Sequence, residues 1–366
     1  MVRVVSWELE PVKLVASNEP LESILRRYSR PGKYFKKING KIECYACAHR
    51  CKLKEGQSGI CKVRYVENNT LMVPWGYVSG LQIDPIEKKP FYHVFPGSNA
   101  LSWGMLGCDM KCFYCQNWLT SQALRDPLSG VVPLEATPEK LVDIALKHNV
   151  PTLVSTYNEP LITSEWNVEI FKLGKKKNLY SAYVSNGNIT PELLEEIRPF
   201  LDFYKVDLKT FDDKKYRKLG TKLENVTNGI TLLKEKGLWV EVVTLIIPGY
   251  NDSEEELRAI ANFLVELDPN IPWHVTAFHP DYKAMDYSWT PPSSLIKAAT
   301  IGKEAGLNFV YAGNIPGRVA ELENTYCPHC GELLVERNGY LILKNNIKPP
   351  GSCPTCGKKI PGYWFP

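Results

Sequence analysis

Residues 100–314 predict an α/β fold on a parallel sheet, read as an open or partial (β/α) barrel, with a doubly wound open sheet as the alternative. Three observations carry this expectation. Short apolar runs alternate with amphipathic stretches, the pattern of repeated βα units whose strands are covered on both faces. Six or seven such units fit the segment. All eleven cysteines fall into three tight groups in or around the repeat, so small metal-stapled pieces are expected at its two ends.

The front of the chain, 1–97, is irregular in pattern. It holds Cys44, Cys47, Cys51 and Cys61 among Gly, Lys and Pro, followed by strand-like runs at Thr70-Leu-Met-Val and Gly76-Tyr-Val-Ser. The central segment, 98–316, offers strands over 100–106, 152–156, 180–185, 203–208, 239–247, 273–278 and 308–311. Between them lie helical stretches over 138–148, 164–176, 191–197, 223–236, 253–267 and 293–304. Three of these open on Thr137-Pro-Glu-Lys, Thr190-Pro-Glu-Leu and Asp252-Ser-Glu-Glu, which place a capping oxygen and acidic residues at a helix start. The basic run over 172–177 reads as the solvated end of a helix. The tail, 317–366, leaves the repeat and carries the third cysteine group.

With 366 residues, 44% of them hydrophobic, the chain can bury one sizeable core and still carry appendages. A net charge of +4 with both signs interspersed implies no broad basic face, so nucleic acid is unsupported. The longest apolar stretches, such as 238–247, are too short to cross a bilayer, and the start Met1-Val-Arg-Val-Val-Ser-Trp-Glu lacks an apolar signal region. A cytoplasmic protein without a membrane span is expected. Clustered thiols in such a chain read as metal sites, and a disulfide scheme would leave one of eleven cysteines over.

Cys108-Asp-Met-Lys-Cys112-Phe-Tyr-Cys115 follows directly on the first predicted strand. Three thiolates on an iron–sulfur cube leave one iron open to a substrate, and the loop after a barrel strand lies on the face where such folds build active sites. Structural zinc is the competing reading, but it wants four ligands, and neither Asp109 nor His93 has ligand spacing for the fourth.

C-x3-C-x-aromatic-C after a first strand resembles the radical SAM (S-adenosylmethionine) superfamily. The wider string from Gly104-Met-Leu-Gly-Cys108 through Cys115-Gln-Asn117 resembles the branch with the glycyl-radical activating enzymes. Further motifs are Asp84-Pro-Ile-Glu-Lys-Lys-Pro-Phe-Tyr-His93, Thr156-Tyr-Asn-Glu-Pro160, Val206-Asp-Leu-Lys209 and Ile247-Pro-Gly-Tyr-Asn-Asp252. With Pro272-Trp-His-Val-Thr276, Phe278-His-Pro-Asp-Tyr282 and Tyr311-Ala-Gly-Asn314, they resemble the radical SAM component of the AmmeMemoRadiSam system over most of the chain.

That resemblance implies a partial barrel of radical SAM type and a [4Fe–4S] cluster on Cys108, Cys112 and Cys115. S-adenosylmethionine would be cleaved reductively to a 5′-deoxyadenosyl radical that abstracts hydrogen from an unidentified substrate. It further implies a ferredoxin or flavodoxin as electron donor, and Memo-like and AMMECR-like partner proteins. Carried onto this sequence, it implies S-adenosylmethionine contacts at Tyr114, at Glu159 and Asn158 in a motif that departs from the glycine-glycine-glutamate form, at Ser185 and Asn186, and at Asp207. Gly187 would permit a close backbone approach.

Asp207 and Lys209 alternate to one side of their strand, which suits a catalytic pair or a buried structural ion pair equally. His274 and His279 flank the end of the sixth strand and Asn314 closes the next. His274 and His279 are each candidates for substrate contact, with His279 and Lys209 assigned to catalysis, and a satisfied core histidine is the plain alternative for both. His49 and His148 read as structural or exposed.

Cys327-Pro-His-Cys330 and Cys353-Pro-Thr-Cys356 form paired knuckles that fit tetrahedral zinc in a ribbon, a staple for a short tail or a docking piece. The first group, C-x2-C-x3-C-x9-C, suits zinc or a second iron–sulfur cluster; Gly56 and Gly59 tilt the reading to a compact zinc knuckle. The competing functions are a glycyl-radical enzyme activase and, from another class, a zinc-ribbon scaffold without catalysis.

Overall fold

A computed structural model describes residues 3–4, 6–11, 19–129 and 131–366. Met1, Val2 and Val5 of the start read above lie outside the described residues. The chain divides into two compact units: Met1–Asp84, Ala100–Tyr204 and Arg217–Leu238 form one, and Pro85–Asn99, Lys205–Tyr216 and Trp239–Pro366 the other.

All seven expected strands of the repeat form: β1 (Asn99–Gly104), β2 (Thr152–Ser155), β3 (Tyr180–Ser185), β4 (Phe203–Asp207), β5 (Trp239–Ile246), β6 (Trp273–Ala277) and β7 (Val310–Gly313). In the first unit β1, β2 and β3 lie parallel, with Leu101 opposite Leu153 and Leu153 opposite Ser181. In the second, β5, β6 and β7 lie parallel, with Val243 opposite His274 and His274 opposite Tyr311. β4 is divided in sequence between the two units at Tyr204 and Lys205. The chain is thus mixed α/β with parallel βα units. Their strands are apolar along nearly their whole length because both faces are covered: every residue of β2 and of β6 is buried.

The helices begin where their caps require. Thr137 accepts from Lys140 N, Thr190 from Leu193 N and Ser253 from Glu256 N, each satisfying an amide that has no partner within its own helix. Their apolar stripes then bury Leu141, Ile144 and Ala145, or Leu257, Ile260 and Leu264, as 3.6-residue periodicity dictates.

The front of the first unit includes two small antiparallel sheets. One joins Phe35–Ile38, Lys41–Cys44 and Lys52–Leu53, and the other Ser29–Pro31, Thr70–Pro74 and Tyr65–Glu67. In the second unit the tail strands Thr325–Tyr326, Leu333–Asn338 and Leu341–Asn345 form a third. Leu334, Val335, Ile347, Ile360 and Trp364 of the tail share one buried cluster with Tyr92, Phe309 and Tyr311, so the tail borrows a core it is too short to build alone.

Candidate functional site

The cysteine loop leaves the end of β1 and is tied down by the segments that leave β2 and β3. Asn158 donates from Nδ2 to Gly107 O at 3.2 Å and accepts Met105 N on Oδ1 at 3.0 Å, bracketing the approach to Cys108. Asp109, fully buried, accepts Asn186 Nδ2 and Asn188 Nδ2, both at 2.7 Å. Arg125 closes the other side, donating to Met110 O at 2.9 Å and Cys108 O at 2.7 Å. Met110 N points at Cys108 Sγ at 3.4 Å, and Cys115 Sγ lies 3.2 Å from Ser121 Oγ. None of the eleven cysteines forms a disulfide.

Behind this loop sits a buried polar layer. Glu159 accepts Ser185 Oγ at 2.7 Å and Leu161 N at 3.1 Å on one oxygen, and Asn186 N at 2.8 Å on the other. Ser185 Oγ also accepts Tyr204 OH at 2.8 Å and Gly187 N at 3.1 Å. The residues expected after β2 and β3 therefore converge, and their visible work is to hold the loop. Tyr114 is buried with its ring edge-on to Phe113 at 4.9 Å.

The electrostatics follow from burial. Glu159 is pushed up to about 8 by loss of solvent and by the nearby Asp109 charge. Burial also pushes Asp109 up, but His49 and the amides of Asn188 and Asn186 outweigh it and hold the carboxyl below its ordinary value. Burial, then Asp109 and Glu159, raise the Cys108 thiol well above its usual range, so metal binding there must expel a proton.

Sequence reasoning placed no function on Asp109, His49, Asn188 or Arg125. Cys47 Sγ, His49 and Asp109 lie within 4.8 Å of one another. His49 Nε2 lies 2.7 Å from Gly220 O, and Nδ1 lies 2.9 Å from Asn188 Nδ2. The position of Asp109 inside the cysteine spacing was the only available signal. Nothing in the sequence marks His49 or Arg125.

The other unit carries the remaining candidates. Asp207 pairs with Lys205, and Lys209 Nζ reaches its Oδ2 at 3.3 Å. Burial would raise the Asp207 carboxyl, but the two ammonium groups pull it down to about 2. His279 is half-buried and packs on Trp289 with ring centroids 5.5 Å apart. His274, by contrast, is a core residue. Its Nε2 meets Glu241 Oε2 at 2.7 Å, its ring stacks on Tyr311, and burial lowers its basicity. Asn314 reaches Ala277 O from Nδ2 at 3.3 Å and accepts Tyr340 OH at 3.1 Å.

The four tail sulfurs lie within 4.8 Å of one another, with Cys327 to Cys356 at 3.7 Å and Cys330 to Cys353 at 3.6 Å. A tetrahedral ion with zinc–sulfur bonds of about 2.3 Å sets its sulfurs about 3.8 Å apart, so this donor set fits one zinc-sized ion. Cys108, Cys112 and Cys115 do not form such a tight group among the described residues.

The profile of the radical SAM superfamily matches residues 104–264. An uncharacterized protein of Methanocaldococcus jannaschii is 37% identical over 335 residues, covering 90% of this chain and 98% of that protein. The pyruvate formate-lyase-activating enzyme of Clostridium pasteurianum is 24% identical, over 49% of this chain and 80% of that enzyme. Among solved structures, a radical SAM methyltransferase from Sphaerobacter thermophilus aligns with a TM-score of 0.49 and 14% identity, over 87% of this chain and 86% of that one. With the profile running from the last residue of β1 through the cysteine loop and beyond β5, and with a relative aligned along nearly its full length, this chain belongs to the radical SAM superfamily of enzymes.

Proposed function

We propose that Cys108, Cys112 and Cys115 hold a [4Fe–4S] cluster, and that the enzyme cleaves S-adenosylmethionine reductively to a 5′-deoxyadenosyl radical that takes hydrogen from its substrate. The observation that carries this reading is the support of the loop: carbonyls and amides on both sides of Cys108 are held by Asn158 and Arg125, and Asp109 is anchored by two asparagines. Such pre-set ligands suit a cofactor whose corners are fixed. When bound, the cluster supplies an open iron for the amine and carboxylate of S-adenosylmethionine and one electron for its sulfonium.

The chain's own residues orient and enclose. Cofactor contacts are assigned to Tyr114 and to Asn158, Glu159, Ser185 and Asn186 at the ends of β2 and β3, where Glu159 ties the Ser185 hydroxyl and the Asn186 amide together. Asp207 is kept ionised by Lys205 and Lys209, which suits a contact to the cofactor's ribose or amine, with Lys209 and His279 assigned to the substrate. The tail quartet is assigned zinc, supported by its sulfur spacing. A ferredoxin or flavodoxin would supply the electron, and Memo-like and AMMECR-like proteins are the partners the subfamily resemblance suggests, in the cytoplasm. Among the described residues no helix is long and apolar enough to cross a membrane.

Activation of a glycyl-radical enzyme is the second reading. It is favoured by relatives named for that role, among them a putative glycyl-radical enzyme activating enzyme of Methanocaldococcus jannaschii at 27% identity over 45% of this chain. Both readings share one test. Anaerobically reconstituted, dithionite-reduced protein given S-adenosylmethionine is expected to release 5′-deoxyadenosine and methionine, and Cys112→Ala to release none. A wild type that is colourless and iron-free after reconstitution, or that leaves S-adenosylmethionine intact with its cluster loaded, overturns the reading in favour of a zinc scaffold.

A further inference from the structure

The front thiols Cys44, Cys47, Cys51 and Cys61 are arranged unlike those of the tail. Cys44, Cys47 and Cys61 are buried and Cys51 is half-buried. They share one interior. A Cβ on Gly59 would stand 3.6 Å from Cys51 Sγ and 3.7 Å from Cys61 Sγ. Cys44 is an electrostatic neighbour of Cys47, Cys51 and Cys61, and its amide donates to Cys51 O at 3.0 Å. Yet among the described residues no three of these sulfurs come within 4.8 Å of one another, whereas all four of the tail do.

The molecule supplies two standards for reading that difference. The tail quartet, at 3.6 and 3.7 Å, has the spacing of a single tetrahedral ion. Cys108, Cys112 and Cys115, on the loop by which this superfamily holds its cube, do not all come within 4.8 Å of one another. The front quartet follows the second standard. A lone zinc ion would require its sulfurs about 3.8 Å apart, while a four-iron cube carries each thiolate on a separate corner.

We propose that Cys44, Cys47, Cys51 and Cys61 hold a second [4Fe–4S] cluster, joined through backbone and side-chain contacts to the loop that carries the first. Gly107, at φ +89°, lies so close to the front loop that a Cβ there would stand 2.8 Å from both Cys61 O and Val63 Cγ1. Arg125 binds the carbonyls of Ile60 and Cys108 with one nitrogen. His49 Nδ1 lies 3.5 Å from Cys47 Sγ and 3.6 Å from Asp109 Oδ2. Each of these three contacts starts at or beside a thiol of one set and ends beside a thiol of the other.

Four protein thiolates leave no iron open, so the role that fits is electron delivery. A low-potential one-electron donor of the ferredoxin or flavodoxin class reduces the front cluster. The same electron passes to the cluster on Cys108, Cys112 and Cys115, and the front cluster returns to its oxidised state. The relay rests on the cluster proposed above for Cys108, Cys112 and Cys115, whereas the front site itself is read from metal content without any S-adenosylmethionine chemistry.

The test uses the full chain, reconstituted anaerobically with iron and sulfide in the presence of zinc. The wild type is expected to hold about eight irons and about one zinc. Cys108→Ala/Cys112→Ala/Cys115→Ala should retain about four irons and, once reduced, an EPR signal indifferent to S-adenosylmethionine. Should the triple variant not fold, the wild type decides: S-adenosylmethionine shifts one of two reduced-cluster signals and leaves the other. About four irons with about two zincs in the wild type, or a single signal that S-adenosylmethionine shifts, overturns the site, whereas a single indifferent signal supports it and overturns the cluster on Cys108, Cys112 and Cys115 instead. Freeze-quench after mixing with reduced flavodoxin should show the indifferent signal rising first; the reverse order overturns the relay.

Discussion

Asn158 illustrates how much one side chain decides at this site. It touches no sulfur, yet it satisfies Met105 N and Gly107 O on the approach to Cys108. Asn158→Ala would leave both backbone groups unpaired in a buried place, which costs about 1–3 kcal/mol, and should loosen the loop enough to lower iron retained after reconstitution. Denaturant unfolding and the iron–sulfur absorbance check this. Unchanged stability would show that water replaces the amide. A second residue tests the electrostatics away from any cysteine. Glu87 accepts Gly97 N at 2.8 Å, but its Oε2 has no partner among the described residues, and burial pushes the carboxyl from 4.5 up to about 7. Between those values the native state keeps a proton that the unfolded chain has released, so its contribution is complete below the lower value and lost as pH rises through the upper. Glu87→Gln should match the wild type near pH 4.5 and exceed it by on the order of 3 kcal/mol at pH 8, measured by urea unfolding at both. The cysteine groups were legible because spacing in sequence is itself the chemical signal. Asn158 and Glu159 came only through a resembled motif, and His49 and Arg125 not at all, because a hydrogen bond to a residue 60 or more positions away leaves no local trace.

At the scale of elements, helix starts and strand runs could be read directly. Thr137, Thr190 and Ser253 cap as their motifs require, since capping is a contact between residues three apart. The helix Leu223–Glu235 was equally visible, but its closest approach was not. A Cβ on Gly229 would stand 2.1 Å from Gly187 O, so this helix lies directly on the loop after β3. Gly229→Ala must displace the helix or the Ser185-Asn186-Gly187 turn, and should cost about 1–3 kcal/mol by overpacking despite the gain in helix propensity. A thermal melt reads the sign, and a raised Tm would mean that the loop yields freely.

Across the first unit, the front sheets are locked onto the βα repeat by a buried ion pair. Arg64 meets both oxygens of Glu165, at 2.6 and 2.8 Å, and Ile162 O at 3.0 Å. Glu165 also accepts the amides of Lys33 and Tyr34. Arg64→Met would strand a buried carboxylate and should cost about 3–5 kcal/mol, whereas breaking the solvent-exposed pair of Arg258 and Glu254 should leave stability nearly unchanged. A double-mutant cycle with Glu165→Gln measures the coupling, and additive losses would show that the pair is incidental. In the second unit Arg337 plays a comparable part, donating to Tyr92 O at 2.8 Å and Thr325 Oγ1 at 2.7 Å, so that the tail is held through its polar contacts as well as its shared core.

Alternating periodicity, caps and cysteine spacing are properties of residues a few positions apart, and from them the sequence alone determined the α/β repeat, its seven strands and the three cysteine groups. How far apart the sulfurs stand is a property of the folded chain. Only the tertiary structure separated the tight tail quartet from the front quartet, no three of whose sulfurs come within 4.8 Å of one another among the described residues, because backbone segments distant in sequence set those distances. The same holds for the histidines: in sequence His274 and His279 read alike, and the Glu241 carboxylate, on the neighbouring strand, makes one of them part of the core.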